Sequence, residues 1–177
     1  SETNEYGGYT ILKNKNVILS ADIGPSPDKK FSNDYQSGSL SFEIYYKENK
    51  LISNSGYFQN FKHQLNSISK STAAHSTLYI NDTSSCIFQK NQSINKIYGN
   101  SLIHKHKIIK KDYTENKDFY SIIAAHNGYE KKFGYIHTRS IIISKKEDKV
   151  FGHDELRKTK NFSNLLNYFI RFHIYPN

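Results

Sequence analysis

Apolar and polar residues alternate along this chain in short runs. In "SLSFEIYY", Leu40, Phe42, Ile44 and Tyr46 fall on one face and Ser39, Ser41, Glu43 and Tyr45 on the other, the period of a half-buried strand. "YTILKNKNVILSADIG" predicts a hairpin turning at Lys13–Asn16, and "KENK" turns "SLSFEIYY" back into "LISNSG". "PSPDKKFSNDYQSG" reads as a loop from its prolines and its Asn, Asp and Gly. "AAHSTLYI", "SCIFQ", "HKHKIIKKDY", "FYSIIAAHNGY", "GYIHTRSIIIS", "KVFGHDEL" and "NYFIRFHIY" follow as strands joined by turns short enough for antiparallel neighbours. Only "QNFKHQLNSISK" has helical spacing, with Phe61, Leu65 and Ile68 on one face. No internal repeat interrupts the pattern, and about ten strands without sustained helical periodicity predict an all-β antiparallel sandwich.

Composition agrees with one folded β domain. The 177 residues suffice for a single core, and 14% aromatic residues, 14 Tyr and 11 Phe, are too many for a disordered chain. No apolar run approaches the roughly 20 residues of a membrane helix, so membrane insertion is not expected. Methionine is absent, from which we expect a fragment of a longer protein. The single Cys86 can make neither an internal disulfide nor a cysteine zinc site. A formal charge of +9, from 25 Lys and Arg against 16 Asp and Glu, suits a polyanionic partner. An AT-rich genome would also enrich Lys, Asn, Ile and Tyr, so only part of that excess calls for a partner. Neither a recognition helix, nor an aromatic-and-glycine strand signature, nor a continuous basic stripe is present, which argues against nucleic acid. Nucleophile elbows and phosphate-binding glycine loops are missing too.

The histidines hold the candidate chemistry. Period two puts His75, Thr77 and Tyr79 on one strand face, opposite Ser76, Leu78 and Ile80. "HKHK" places His104 and His106 one residue apart on a strand, a spacing that two metal ligands can use and that an exposed His/Lys alternation equally produces. His126 and Tyr129 flank the "HNGY" turn, and "HTR" aligns His137 with Arg139, where they could meet an anionic sugar or form a solvated strand face.

Taken in order, "ADIGPSPD", "YQSGSLSFEI", "KLISNSGYF", "SKSTAAHSTLYINDTSS", "AAHNGYEKKFGYIHTRSIII", "VFGHDEL" and "RFHIYP" resemble the C-terminal β-sheet domain of the heparinase II/III-like polysaccharide lyases from about Gly8 to the end. The resemblance implies that 1–177 is a single sandwich domain whose partner is an upstream α/α toroid, with the cleft between them. It also implies that the sandwich continues beyond "RFHIYPN". The family's reaction is β-elimination on uronic-acid-containing anionic polysaccharide, with most of the proton work done from the toroid, so the isolated fragment is expected to be inactive. Many relatives are periplasmic, and the resemblance leans that way.

The family carries an H-x-H-x-D block before "LSFE", whose second histidine joins an Asp and the "AAHST" histidine around zinc. Here the block reads "DYQSG". Asp34 and Gln36 stand at the two histidines, Gly38 at the acid, and Asn54 at a second acid, while His75 keeps its identity. One imidazole and two amides suit Zn²⁺ poorly, so no metal or other cofactor is expected, and Gln36, Asn54 and His75 are expected to form a hydrogen-bonded cluster instead. The resemblance thus nominates His75 as catalytic, and Gln36, Asn54, His126, Tyr129, His137 and Arg139 as substrate-binding. The alternative is a non-catalytic sandwich that binds acidic glycans or packs on a partner domain, favoured by the replaced positions.

Overall fold

Residues 4–60, 62–90, 101–162 and 165–176 are described by a computed structural model, with side chains from residue 7 onward. The first hairpins form as the alternation predicts. Strands β1 (Asn4–Tyr6), β2 (Tyr9–Lys13), β3 (Val17–Asp22), β4 (Phe42–Tyr46) and β5 (Asn49–Ser53) follow one another antiparallel. Asn14 closes the β2–β3 turn. Its Oδ1 accepts the Asn16 and Val17 backbone N–H groups at 2.9 and 2.7 Å, while its amide donates to Ser144 O at 2.8 Å in the opposite sheet.

A second antiparallel sheet has the order β12-β11-β10-β9, from β9 (Ile108–Glu115), β10 (Phe119–His126), β11 (Tyr135–Ser144) and β12 (Val150–Lys158). The two sheets bury a shared core. Leu12, Val17, Leu19, Ala21, Phe42 and Ile44 come from one side, and Tyr120, Ile122, Ala124, Ile141 and Ile143 from the other. Full burial of each such Leu or Ile contributes about 1.5–3 kcal/mol. A smaller cluster joins Leu78, Tyr79 and Ile80 of β6 (Leu78–Ile80) to Tyr129 and to Phe133 of the one-turn helix α2 (Glu130–Phe133). The pair β7 (Ile87–Phe88) and β8 (Leu102–His104) completes the middle of the chain.

Four expectations are corrected. The "AAHSTLYI" run is a strand only over β6; Thr72–Ala74 is a 3-10 turn, and His75 caps it instead of standing on a strand face. Side-chain hydroxyls outcompete the ladder there. Thr72 Oγ1 donates to Ser37 O, Ser76 Oγ to Ser53 O and Thr77 Oγ1 to Ser39 O, at 2.7–3.0 Å. "HKHK" does not hold both histidines on one strand either, because β8 ends at His104 and His106 lies beyond it, buried. The last segment breaks into β13 (Tyr168–Ile170), which pairs with β6, and β14 (His173–Ile174), which pairs with β5. Finally, the short helix α1 (Gln64–Ser69) turns its apolar residues outward: Leu65 and Ile68 are exposed while Asn66 and Ser69 are buried. Phe61, placed on the same face by the spacing, lies outside the described residues.

Candidate functional site

The outward phase of β2, β3 and β4 carries Tyr9, Ser20, Asp22 and Glu43, because the inward phase is occupied by the core. Residues 34–38 and the segment from Asn54 to Gly56 border this surface, and His75 joins them to line a cleft of about 380 Å³. Gln36, Asn54 and His75, three of the residues singled out in the sequence, therefore line one cleft.

His75 is held by two bonds. Ser71 O lies 2.8 Å from Nδ1 and Gln36 Oε1 3.1 Å from Nε2. Burial lowers the histidine pKa, with the Ser71 bond opposing, so the ring is neutral near pH 7. A carbonyl only accepts, so Nδ1 carries the proton and Nε2 is the acceptor. The Gln36 amide then satisfies Nε2 by turning its NH₂ toward it. Asn54 is engaged at both ends: its Oδ1 accepts Ser76 N–H at 2.9 Å, and its own backbone N–H donates to Glu43 Oε1 at 2.9 Å. Glu43 is paired with Lys50 at 3.1 Å.

Gly38 makes the ring position possible. A Cβ there would lie 2.6 Å from His75 Cδ2 and 3.1 Å from both its Cγ and Ser41 Oγ. Asp34 stands at the mouth, accepting Tyr57 Oη–H at 2.9 Å. Asp22 is the residue that the sequence reading missed. Its Oδ1 accepts Gly24 N–H at 3.1 Å, but burial dominates and pushes its carboxyl up to about 7. Tyr9 is raised by burial, then by Asp22 and Glu43. The available signal was Asp22 in phase with Ser20 at the end of "VILSAD". No lysine or arginine lines this cleft. It can therefore donate, accept and relay protons, but it cannot itself neutralise an anionic group.

His126, Tyr129, His137 and Arg139 are not brought to the cleft; all four are buried in the interior. They form a directional network. Gly128 N–H donates to His126 Nδ1 at 3.0 Å, which leaves His126 Nε2–H to donate to His137 Nδ1 at 3.2 Å and His137 Nε2–H to donate to Asp154 Oδ1 at 2.7 Å. Burial holds both histidines below their ordinary range. Arg139 grips Asp154 with two bonds of 2.8 and 2.9 Å, and its third nitrogen donates to Leu40 O and Ser76 O at 2.8 Å. Burial would raise the Asp154 carboxyl, but His137 and Arg139 pull it well below the usual carboxylate range. Tyr129 Oη–H donates to Leu78 O at 3.0 Å. Arg139 thus touches the cleft from behind, by fixing Ser76 beside His75 and by lying over the Phe42 ring at 5.2 Å. Among the described residues, no group of three or more His, Cys, Asp and Glu is placed to hold a metal ion, and no helix is long and apolar enough to cross a membrane.

No curated protein matches the chain. Among solved structures, the heparan sulfate lyase HepC from Pedobacter heparinus is similar over 88% of this chain and 22% of its own, at 15% identity and a TM-score of 0.63. A heparinase III structure is similar over 87% and 22%, at 18% identity and a TM-score of 0.61. At these identities the likeness shows the fold, and the chain spans 22% of each of those two proteins. The family model described as "Heparinase II/III-like, C-terminal" matches residues 3–177.

Proposed function

Since this chain belongs to the heparinase II/III-like C-terminal family, we propose that it is the sheet domain of a polysaccharide lyase that cleaves uronic-acid-containing anionic polysaccharide by β-elimination. The observation that carries this reading is the meeting of His75 and Gln36, 39 positions apart, in a cleft they share with Asp22, Asp34 and Tyr9.

β-Elimination needs a base for the proton beside the uronate carboxyl, an acid for the departing glycosidic oxygen, and a partner for the carboxylate itself. The cleft supplies groups for the first two tasks. Asp34 and Tyr9 are exposed toward it, Asp22 titrates near neutrality, and His75 is a neutral ring fixed in orientation. The third task falls to a cationic or hydrogen-bonding group outside this chain, and an upstream α/α toroid is the proposed source. Zinc does not fit the donor set. The Asn54 amide oxygen is committed to Ser76 N–H, His75 Nδ1 to Ser71, and neutral amides are weak zinc ligands. We assign that corner to hydrogen bonds and route no step through a metal.

The test is elimination by the full-length protein, read as ultraviolet absorbance of the unsaturated uronate product over a panel of uronic-acid polysaccharides. We expect product from the wild type and a large loss in His75→Ala with folding retained. Absence of product on every polymer, with binding to acidic glycans intact, would replace the lyase reading by a glycan-binding module, the reading that the Gln36, Gly38 and Asn54 replacements favour.

A further inference from the structure

The charge of the cleft leaves a question. The His75 cleft is lined by three carboxylates, Asp22, Asp34 and Glu43, and by no lysine or arginine, although the chain carries a formal charge of +9. A polyanion would be repelled there unless its charged groups were held elsewhere. Beside α1 lies a separate groove of about 890 Å³, within the roughly 300–1,000 Å³ of ligand sites. Lys62, Lys70, Lys90 and Lys132 line it together with His63, against a single acid, Asp82. Ser67 and Ser84 add hydroxyls, and Phe88 adds an apolar surface suited to a sugar ring.

Lys70 is the built part of this groove. It is 1% exposed, its Nζ donates to Asn33 O, and it lies over the Phe88 ring at 4.6 Å. Burial brings its pKa down to about 8, with Asp34 opposing. Position links the groove to the cleft: Lys70 and Ser71 line it, and Ser71 O holds His75.

We propose that this groove is an anion-binding subsite for the sulfate or carboxylate groups of a glycan chain whose neighbouring residues lie at the His75 cleft. The inference rests on the lyase reading for the glycan class, while the groove itself is argued from charge and shape. It splits the work of the domain, with anionic groups held by lysines on one side of Ser71 and the carboxylates Asp22 and Asp34 lining the cleft on the other.

The experiment measures binding of the full-length protein by calorimetry to a sulfated uronate oligosaccharide, to its unsulfated counterpart, to a neutral oligosaccharide, and to a single-stranded oligonucleotide of equal charge. The groove variant is Lys62→Ser/Lys90→Ser/Lys132→Ser. The control, Lys110→Ser/Lys111→Ser/Lys149→Ser, removes the same charge from exposed positions on β9 and the β11–β12 turn. We expect about tenfold or greater weakening of one or both anionic oligosaccharides in the groove variant, a smaller loss in the control, and a shallower salt dependence in the groove variant alone. Preference between the two anionic probes identifies sulfate or carboxylate as the group bound. Equal losses in the two variants, or tighter binding of the oligonucleotide than of either glycan, would overturn the groove. Elimination activity is measured on the same samples. Groove-dependent binding without elimination retains the groove and removes the lyase reading, whereas elimination unaffected by the groove variant, in substrate affinity as in rate, does the reverse.

Discussion

At the residue scale, Gly38 and His75 are a matched pair. The imidazole occupies the space that a side chain at 38 would need, with His75 Cδ2 2.6 Å from a would-be Cβ. Gly38→Ala must therefore push the ring off its Ser71 and Gln36 bonds or move the 36–38 loop. We expect a destabilisation of about 1–3 kcal/mol in urea denaturation, together with loss of any activity that His75 supports. An unchanged midpoint would mean that the loop yields without resistance. This coupling could not be read from the sequence, where "DYQSG" and "AAHST" are far apart. That His75, Gln36 and Asn54 would lie near one another was legible through the family resemblance alone, but the expected hydrogen bond joins only His75 and Gln36, while Asn54 is bonded to Ser76 N–H and Ser41 Oγ. Asp22 was not legible, because nothing in "SADIG" announces that burial will bring its carboxyl to about 7. His126, His137 and Arg139 were misplaced for a related reason: alternation alone does not say which face of a strand is inward, and on β10 and β11 these polar residues fall in phase with the core residues Ile122, Ala124, Ile141 and Ile143, while Tyr129 packs with Leu78, Tyr79 and Ile80.

At the element scale, hairpins with clean alternation were readable and the serine- and threonine-rich stretch from Ser71 to Thr77 was not. Its hydroxyls bind backbone carbonyls of residues 37, 39 and 53, a choice made by tertiary neighbours. The "KENK" turn was placed correctly, yet its chemistry is unfavourable. Lys47 and Glu48 have φ of 45° and 72°, the left-handed pair of a type I′ turn that Asn-Gly adopts with little strain. Lys47→Asn/Glu48→Gly is expected to stabilise the domain by about 1 kcal/mol, seen as a raised thermal midpoint. A lowered midpoint would show that the Lys47 contact with the Tyr46 ring, 5.2 Å from its centroid, outweighs the backbone strain.

Across the whole molecule, Arg139 is the tie between layers. It joins β11 and β12 through Asp154, the loop before β4 through Leu40 O, and the His75 segment through Ser76 O. Arg139→Met leaves Asp154 buried and unpaired by arginine, and should cost about 3–5 kcal/mol in denaturant unfolding. Adding Asp154→Leu to Arg139→Met should recover part of that loss, and a strictly additive double variant would show the two residues to be uncoupled.

The same enclosed groups set how stability depends on pH. His75, His106, His126 and His137 are all held below their ordinary 6.5 by burial, His106 down to about 4. They stay neutral in the fold while the unfolded chain takes up protons, so their contribution is present above about pH 6.5 and is lost as pH falls toward the folded values. Asp22 has the opposite sign. Its folded pKa, about 7, lies above its ordinary 3.8, so its contribution is complete below 3.8 and is lost as pH rises through about 7. Four histidines outweigh one carboxyl, and net stability should climb from about pH 4 to about 6.5. Asp22→Asn isolates the opposing group. It should stabilise the protein by on the order of 2 kcal/mol above about pH 7, after discount for partial exposure, and have little effect near pH 4. Urea midpoints measured for both proteins across this range decide the matter, because a difference between them that is independent of pH would mean that Asp22 ionises in the fold as freely as it does in the unfolded chain.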